Sequence, residues 1–217
     1  MVREHHFAHK PPVVCQYEKG ETELYLRAKR EIYEALRVLP NCTKCELERR
    51  LDGVRLDVSL YINNVPVAIE LQRSNITIAD IARRTTRYSQ LGIYTLWVLP
   101  FIPPAEDVPY RPHDWEKYLH ALYFGRNYFW EQGTTLRAIQ FTPQRLWVES
   151  REWFDESGEE MSAGGHYRLA KSLKSIATTA YPLDIAQDFI PMTRGAFETK
   201  HYTLPDCRLW IDNQYWG

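Results

Sequence analysis

Residues 55–74 read RLDVSLYINNVPVAIELQRS, and the way this stretch folds back on itself decides the architecture. Two strand-like runs, 55–62 and 65–72, flank Asn63-Asn64, and asparagine tolerates the positive φ that a two-residue hairpin loop demands. The sequence therefore predicts a hairpin with Ile62 opposite Val65. Counting back from the turn pairs Leu60 with Val67, Val58 with Ile69 and Leu56 with Leu71 on one apolar face. The other face pairs Tyr61 with Pro66, Ser59 with Ala68, Asp57 with Glu70 and Arg55 with Gln72. Two carboxylates thus meet across a strand pair. Like charges so placed destabilise a sheet unless a cation compensates, a pKa rises or the register slips. A compensating cation is the expected solution.

Outward from the hairpin, ETELYLRAKREIYEAL (21–36) spaces Leu24, Ala28, Ile32, Ala35 and Leu36 as one stripe of a helix that Pro40 ends. CELERRL (45–51) is a strand, and Asp52-Gly53 turns it into the hairpin, giving three meandering strands. Downstream, SNITIADIARRTTRYSQLG (74–92) predicts a helix capped by Ser74 or Asn75, with Ile78, Ile81, Tyr88 and Leu91 inward and Gly92 closing it. IYTLWVLP (93–100) adds an apolar strand. The helix crossing back places this strand parallel to an earlier one, in an α/β sandwich with the hairpin central. After a Pro-rich linker at 101–107, residues 113–141 predict one helix and two short strands, and the acidic ESREWFDESGEEMSAGG (149–165) an exposed loop. The expected organisation is a lead-in (1–20), a core (21–100) and a C-terminal extension packed on the core (101–217).

At 217 residues and 44% hydrophobic content, the chain can bury a full core. Its 27 basic and 28 acidic residues nearly cancel, so any nucleic-acid surface must be local. No signal pattern opens the sequence and no run approaches a membrane span, which makes a cytoplasmic protein without membrane contact the expectation.

Asp57, Glu70 and Gln72 bring oxygen-bearing side chains to one small region. Hard cations such as Mg²⁺ or Mn²⁺ take such oxygen ligands and keep positions for water and phosphate. Acidic residues on a solvent-facing sheet are the plain alternative. Arg84 lies between Ile81 and Tyr88 on the inward edge of its helix, where it needs an acceptor: a phosphate, a site carboxylate or an ordinary salt bridge. Arg83 and Arg87 point outward, and Arg73 adjoins the site on the apolar-side parity. Cys42 and Cys45 have zinc-ligand spacing, completable by Cys15, Cys207 or His5, His6 or His9, but one pair is not a site and reduced thiols are expected. No Gly-x-Ser-x-Gly elbow supports serine catalysis.

Arg55 to Val58, Ile69 to Ser74, Arg84 with Tyr88, and Trp97 together resemble the PD-(D/E)xK nuclease superfamily, and more closely the competence protein CoiA-like family. HHFAHK (5–10) is similar to the end of that family's N-terminal segment, and residues 115–141 to the region after its core. The resemblance implies a restriction-endonuclease-like core of helix, three-stranded antiparallel meander, helix and strand, followed by a mixed α+β extension. It implies a metal-dependent deoxyribonuclease in which Asp57 and Glu70 hold Mg²⁺ or Mn²⁺. Gln72 stands where the superfamily usually has Lys, and can orient but not deprotonate water. Glu21, on the inward stripe of the first helix, is the expected further catalytic carboxylate, and Arg55, Arg73, Ser74, Arg84 and Tyr88 the substrate contacts. DNA is the implied partner, in uptake, processing or defence. A DNA-binding module without catalysis, or a scaffold docking a protein through an exposed aromatic DCRLWIDNQYWG (206–217), are the alternatives.

Overall fold

A computed structural model describes residues 16–73, 76–106, 108–179 and 181–214, with side chains from residue 23 onward. Helix α1 (Gln16–Leu36) leads into β1 (Cys42–Leu51), β2 (Val54–Ile62) and β3 (Val65–Leu71), then α2 (Ile78–Gln90) and β4 (Tyr94–Leu99). Asn63 and Asn64 have φ of 50° and 65°, the left-handed pair that an asparagine hairpin turn needs. The predicted register holds from Ile62↔Val65 to Val58↔Ile69. β1, β2 and β3 are antiparallel neighbours in that order, and β4 returns parallel to β3, with Glu70 beside Trp97.

The layers follow from the alternation along the strands. On α1, Ala28, Ile32 and Leu36 are fully buried, in the cluster that also holds Val58, Leu60, Ile62 and Ile69. The amphipathic α2 turns Ile81, Thr85 and Tyr88 inward, and the Trp97 indole donates to the Thr85 hydroxyl at 3.1 Å. Thr77, rather than Ser74 or Asn75, caps this helix: its hydroxyl accepts from the Asp80 amide at 3.1 Å. Ser74 and Asn75 lie outside the described residues, as do residues 1–15 with their histidines and Cys15.

Beyond β4 come α3 (Asp114–Leu122), β5 (Asn127–Gln132), β6 (Thr135–Val148), β7 (Arg151–Phe154), β8 (Glu160–Ala163) and β9 (His166–Thr178). The chain then adds β10 (Leu183–Asp184), β11 (Phe189–Arg194), β12 (Phe197–Glu198), β13 (Thr203–Leu204) and β14 (Cys207–Asp212). The far edge of β4 is shared: β14 pairs with it at Thr95, and β5 at Val98 and Leu99, so one mixed sheet continues from the hairpin into the C-terminal half.

Three expectations change. β6 is a long strand, not a short one, and forms a ribbon with β9 through Val148↔His166. The 149–165 segment is exposed, but as the β7–β8 hairpin: Asp155 accepts from the Ser157 and Glu159 amides, and Gly158 turns the chain with φ of 82°. The C-terminal aromatic segment is not an exposed docking tail over 207–212. β14 lies between β11 and β4 with Leu209, Trp210 and Ile211 buried, since a strand paired on both sides and covered on both faces reads apolar throughout. No helix among the described residues is long and apolar enough to cross a membrane.

Candidate active site

The alternation of β2 breaks at Asp57. The β2–β3 ladder stops at Val58↔Ile69, whereas β3 continues beside β4 through Leu71↔Val98, and the Gln72 amide donates to the Val98 carbonyl at 2.8 Å. In place of the next ladder bond, Asp57 Oδ2 accepts the Leu71 amide at 3.0 Å. Across the other edge, Glu48 sits between the pairs Leu47↔Val58 and Arg49↔Leu56 with φ of 54°, a conformation rare for a residue with a Cβ. Leu56 therefore leaves the predicted face: it packs with Ala68, Tyr88 and Ile93, not with Leu71.

Asp57 and Glu70 consequently have different surroundings. Asp57 Oδ1 receives the Tyr25 hydroxyl at 3.0 Å and lies 3.1 Å from the Lys29 ammonium. Tyr25 and Lys29 stand one turn apart on α1, and the ammonium also sits 4.6 Å from the Tyr25 ring centroid. Lys29 pairs in addition with Glu48, which in turn pairs with Arg55. Burial works against the Lys29 charge, but the Tyr25 hydroxyl and Asp57 hold its pKa above the ordinary value.

Glu70 is fully buried. Its Oε1 accepts the Tyr88 hydroxyl at 2.7 Å and its Oε2 pairs with Arg84, whose guanidinium lies over the Trp97 ring and donates to the Arg55 carbonyl at 3.1 Å. Of the acceptors open to Arg84 in the sequence, the site carboxylate is the one it meets. The expected Asp57–Glu70 pair is absent from the ladder, and each carboxylate has its own cation: Lys29 for Asp57 and Arg84 for Glu70. This compensation is incomplete, because burial pushes the Glu70 carboxyl up to about 8 despite Arg84.

That raised value has a stability consequence. Between the ordinary 4.5 and about 8, the native state holds a proton on Glu70 that the unfolded chain has released. The contribution present below the lower value is therefore lost as pH rises through the upper one. Denaturant melts of wild type should show stability falling across this window, and Glu70→Gln should flatten that part of the profile. An unchanged slope in the variant would mean Glu70 titrates normally.

Lys29, Arg55, Glu48, Asp57, Arg83 and Arg84 line a cleft of about 540 Å³, and Glu70 lies buried behind Arg84. Tyr88 is not a cleft residue: it is fully buried beneath Arg84, where its hydroxyl positions Glu70. Arg55 is open to the cleft, Gln72 is buried and Arg73 half-buried. Ser74 lies outside the described residues, and of Glu21 the structure gives only its place in α1. Arg87 turns away to Asp52. Cys42 and Cys45 belong to β1, where burial raises the Cys45 thiol to about 11. Tyr25, Lys29 and Glu48 were not anticipated. The available signal was the polar pair Tyr25 and Lys29, four residues apart beside the apolar stripe of α1.

The segment that builds this cleft is similar to a known family. Residues 21–103 match the family model described as competence protein CoiA, nuclease-like domain. The match runs from α1 past β4, so both carboxylates and both compensating cations lie inside the segment that is similar to this nuclease-like domain. No curated protein and no solved structure matches the chain.

Proposed function

We propose that the chain is a divalent-metal-dependent nuclease hydrolysing DNA phosphodiester bonds, with residues 21–100 as a restriction-endonuclease-like catalytic core. The observation that carries this reading is the opening of β2 from β3 at Asp57, which sets that carboxylate in a cleft walled by four basic side chains, with the buried Glu70 behind Arg84. An acidic floor with basic walls suits a cation below and a phosphate above.

The donor set fits Mg²⁺ or Mn²⁺. Asp57 and Glu70 offer hard oxygen donors, with the Leu71 carbonyl beside them, and the raised pKa of Glu70 marks a carboxylate short of positive charge. A bound ion would supply Lewis acidity toward the phosphodiester. Lys29 and Arg84 now answer the same oxygens, so the ion competes with them. Arg55 and Arg83 hold phosphate at the cleft mouth, Gln72 orients, Tyr25 fixes the Asp57 carboxylate, and Glu21 adds a carboxylate from α1. DNA uptake, processing or defence is the setting this activity serves.

A second reading has its own observation. All four carboxylate oxygens already accept from protein donors, as in a DNA-binding module that keeps the fold without catalysis. Titrating Mn²⁺ against the full chain with linear, circular and single-stranded DNA separates the two. The nuclease reading expects metal-dependent cleavage, and a melting temperature that Mn²⁺ raises in wild type but not in Asp57→Asn. DNA bound but never cut, with no Mn²⁺ shift, would establish the binding module.

A further inference from the structure

A second basic concavity among the described residues lies outside the carboxylate cleft, and the nuclease reading does not use it. We propose that this pocket, of about 590 Å³ between α3, the β6–β9 ribbon and the β12–β13 connection, is a subsite for an unpaired stretch of nucleic acid running on from the cleft. The inference rests on the nuclease reading and extends it by naming a single strand as the bound form.

Three ammonium groups face the pocket: Lys117 from α3, and Lys171 and Lys174 from β9. Asp114 is the single acid among its lining residues, 3.0 Å from Lys117, so a surplus of two positive charges remains. His120 adds none at neutral pH: its Nε2 accepts the Phe141 amide at 2.9 Å, and burial lowers its pKa to about 4. In a chain of net charge -1, this is a local anion surface.

Two aromatic rings line the pocket with the lysines: Tyr202 is half-buried, whereas Phe141 is buried against His120 and Tyr110. Both are held in place before any ligand arrives. Phe141 stacks on His120 with centroids 5.0 Å apart, and Tyr202 meets the buried Tyr118 edge-on at 5.7 Å. Lys174 is fixed by reciprocal main-chain bonds to Tyr110 at 2.7 and 2.9 Å. Cations that track phosphates beside a ring on which a base can stack, here Tyr202, are the elements of single-strand binding, and a stacked duplex does not present its base faces to such a ring.

The pocket shares α2 with the cleft. Ile78, first residue of that helix, lines the pocket, whereas Arg83 and Arg84 line the cleft, and at 1.5 Å per residue they lie about 8–9 Å further along the axis. At 3.6 residues per turn they also lie roughly 120–140° round the helix from Ile78, so a strand joining the two would wrap the first turns of α2. On that path a strand with one phosphate in the cleft would run its flanking nucleotides toward the three lysines.

The test measures binding in EDTA, so that no cleavage interferes, using the full chain and a fluorescein-labelled dT12 with a 12-base-pair duplex as control. Lys171→Glu with Lys174→Glu should weaken dT12 binding by tenfold or more and reduce the log-log salt slope by about 1.4, roughly 0.7 for each phosphate no longer neutralised. Tyr202→Ala should weaken dT12 about fivefold or more but leave the duplex unaffected, and Tyr202→Phe should restore it. Unchanged affinity and slope in the lysine double variant, with its melting temperature intact, overturn the proposal. An equal loss for duplex also overturns it, because the pocket would then contact a duplex backbone. Pocket-dependent dT12 binding by a chain that cuts nothing in Mn²⁺ would uphold the subsite and defeat the nuclease reading. Cleavage with no dT12 binding would do the reverse.

Discussion

Asp57→Asn and Glu70→Ala are each expected to abolish Mn²⁺-dependent DNA cleavage, whereas Gln72→Ala should leave a measurable rate, about 10²- to 10³-fold lower. The difference comes from what each side chain supplies. Asp57 and Glu70 provide the charge that would hold a divalent ion, and Glu48, the other acid among the described residues lining the cleft, is engaged by Lys29 and Arg55. Gln72 is buried and neutral, so its loss removes orientation but not affinity.

Lys29→Met sharpens the distinction. The Lys29 ammonium lies 3.1 Å from Asp57 Oδ1, where it opposes a divalent ion, so its removal should lower the Mn²⁺ concentration needed for half-maximal rate. The maximal rate should fall all the same, because a cation beside the phosphate is lost. A gel assay of cleavage against Mn²⁺ concentration reads both quantities. Retained cleavage in Asp57→Asn would move the active site elsewhere.

The hairpin was legible because two local signals agree. Asn63-Asn64 specifies the turn, and the alternation from Val58 to Ile69 leaves one register that buries its apolar face. Legibility ended at Asp57, where tertiary partners decide. Tyr25 and Lys29 reach the carboxylate from a helix 32 and 28 residues earlier, and Glu48 adopts a positive φ for which glutamate carries no local preference. Alternation therefore failed at Leu56, one residue away. Over 207–212 the aromatic residues suggested an exposed segment because nothing local reveals that β4 and β11, far apart in the chain, take β14 between them. Fold class follows from periodicity, but the donors around a buried carboxylate depend on contacts that periodicity does not encode.

Arg84→Met is expected to destabilise the protein strongly at pH 9 and much less at pH 6. Removing one partner of a buried ion pair typically costs about 3–5 kcal/mol, because the other charge stays buried without compensation. Glu70 has an escape from that cost. Its carboxyl already sits at about 8 with Arg84 present, and losing the guanidinium moves it higher still. At pH 6 the side chain is protonated in the variant, keeps its contact with the Tyr88 hydroxyl, and the loss reduces to hydrogen bonds of about 1–2 kcal/mol and packing on Trp97. At pH 9 the unfolded chain ionises Glu70 freely, whereas the folded chain must either hold a proton against the solvent or bury an unpaired charge, and either choice lowers stability. Adding Glu70→Gln to Arg84→Met removes the group that titrates, so the double variant should regain stability at pH 9 but gain little at pH 6. Urea melts of the four proteins at both pH values measure this. A cost for Arg84→Met that is equal at pH 6 and pH 9 would show that Glu70 titrates alike with and without the guanidinium, so that Arg84 does not set its protonation.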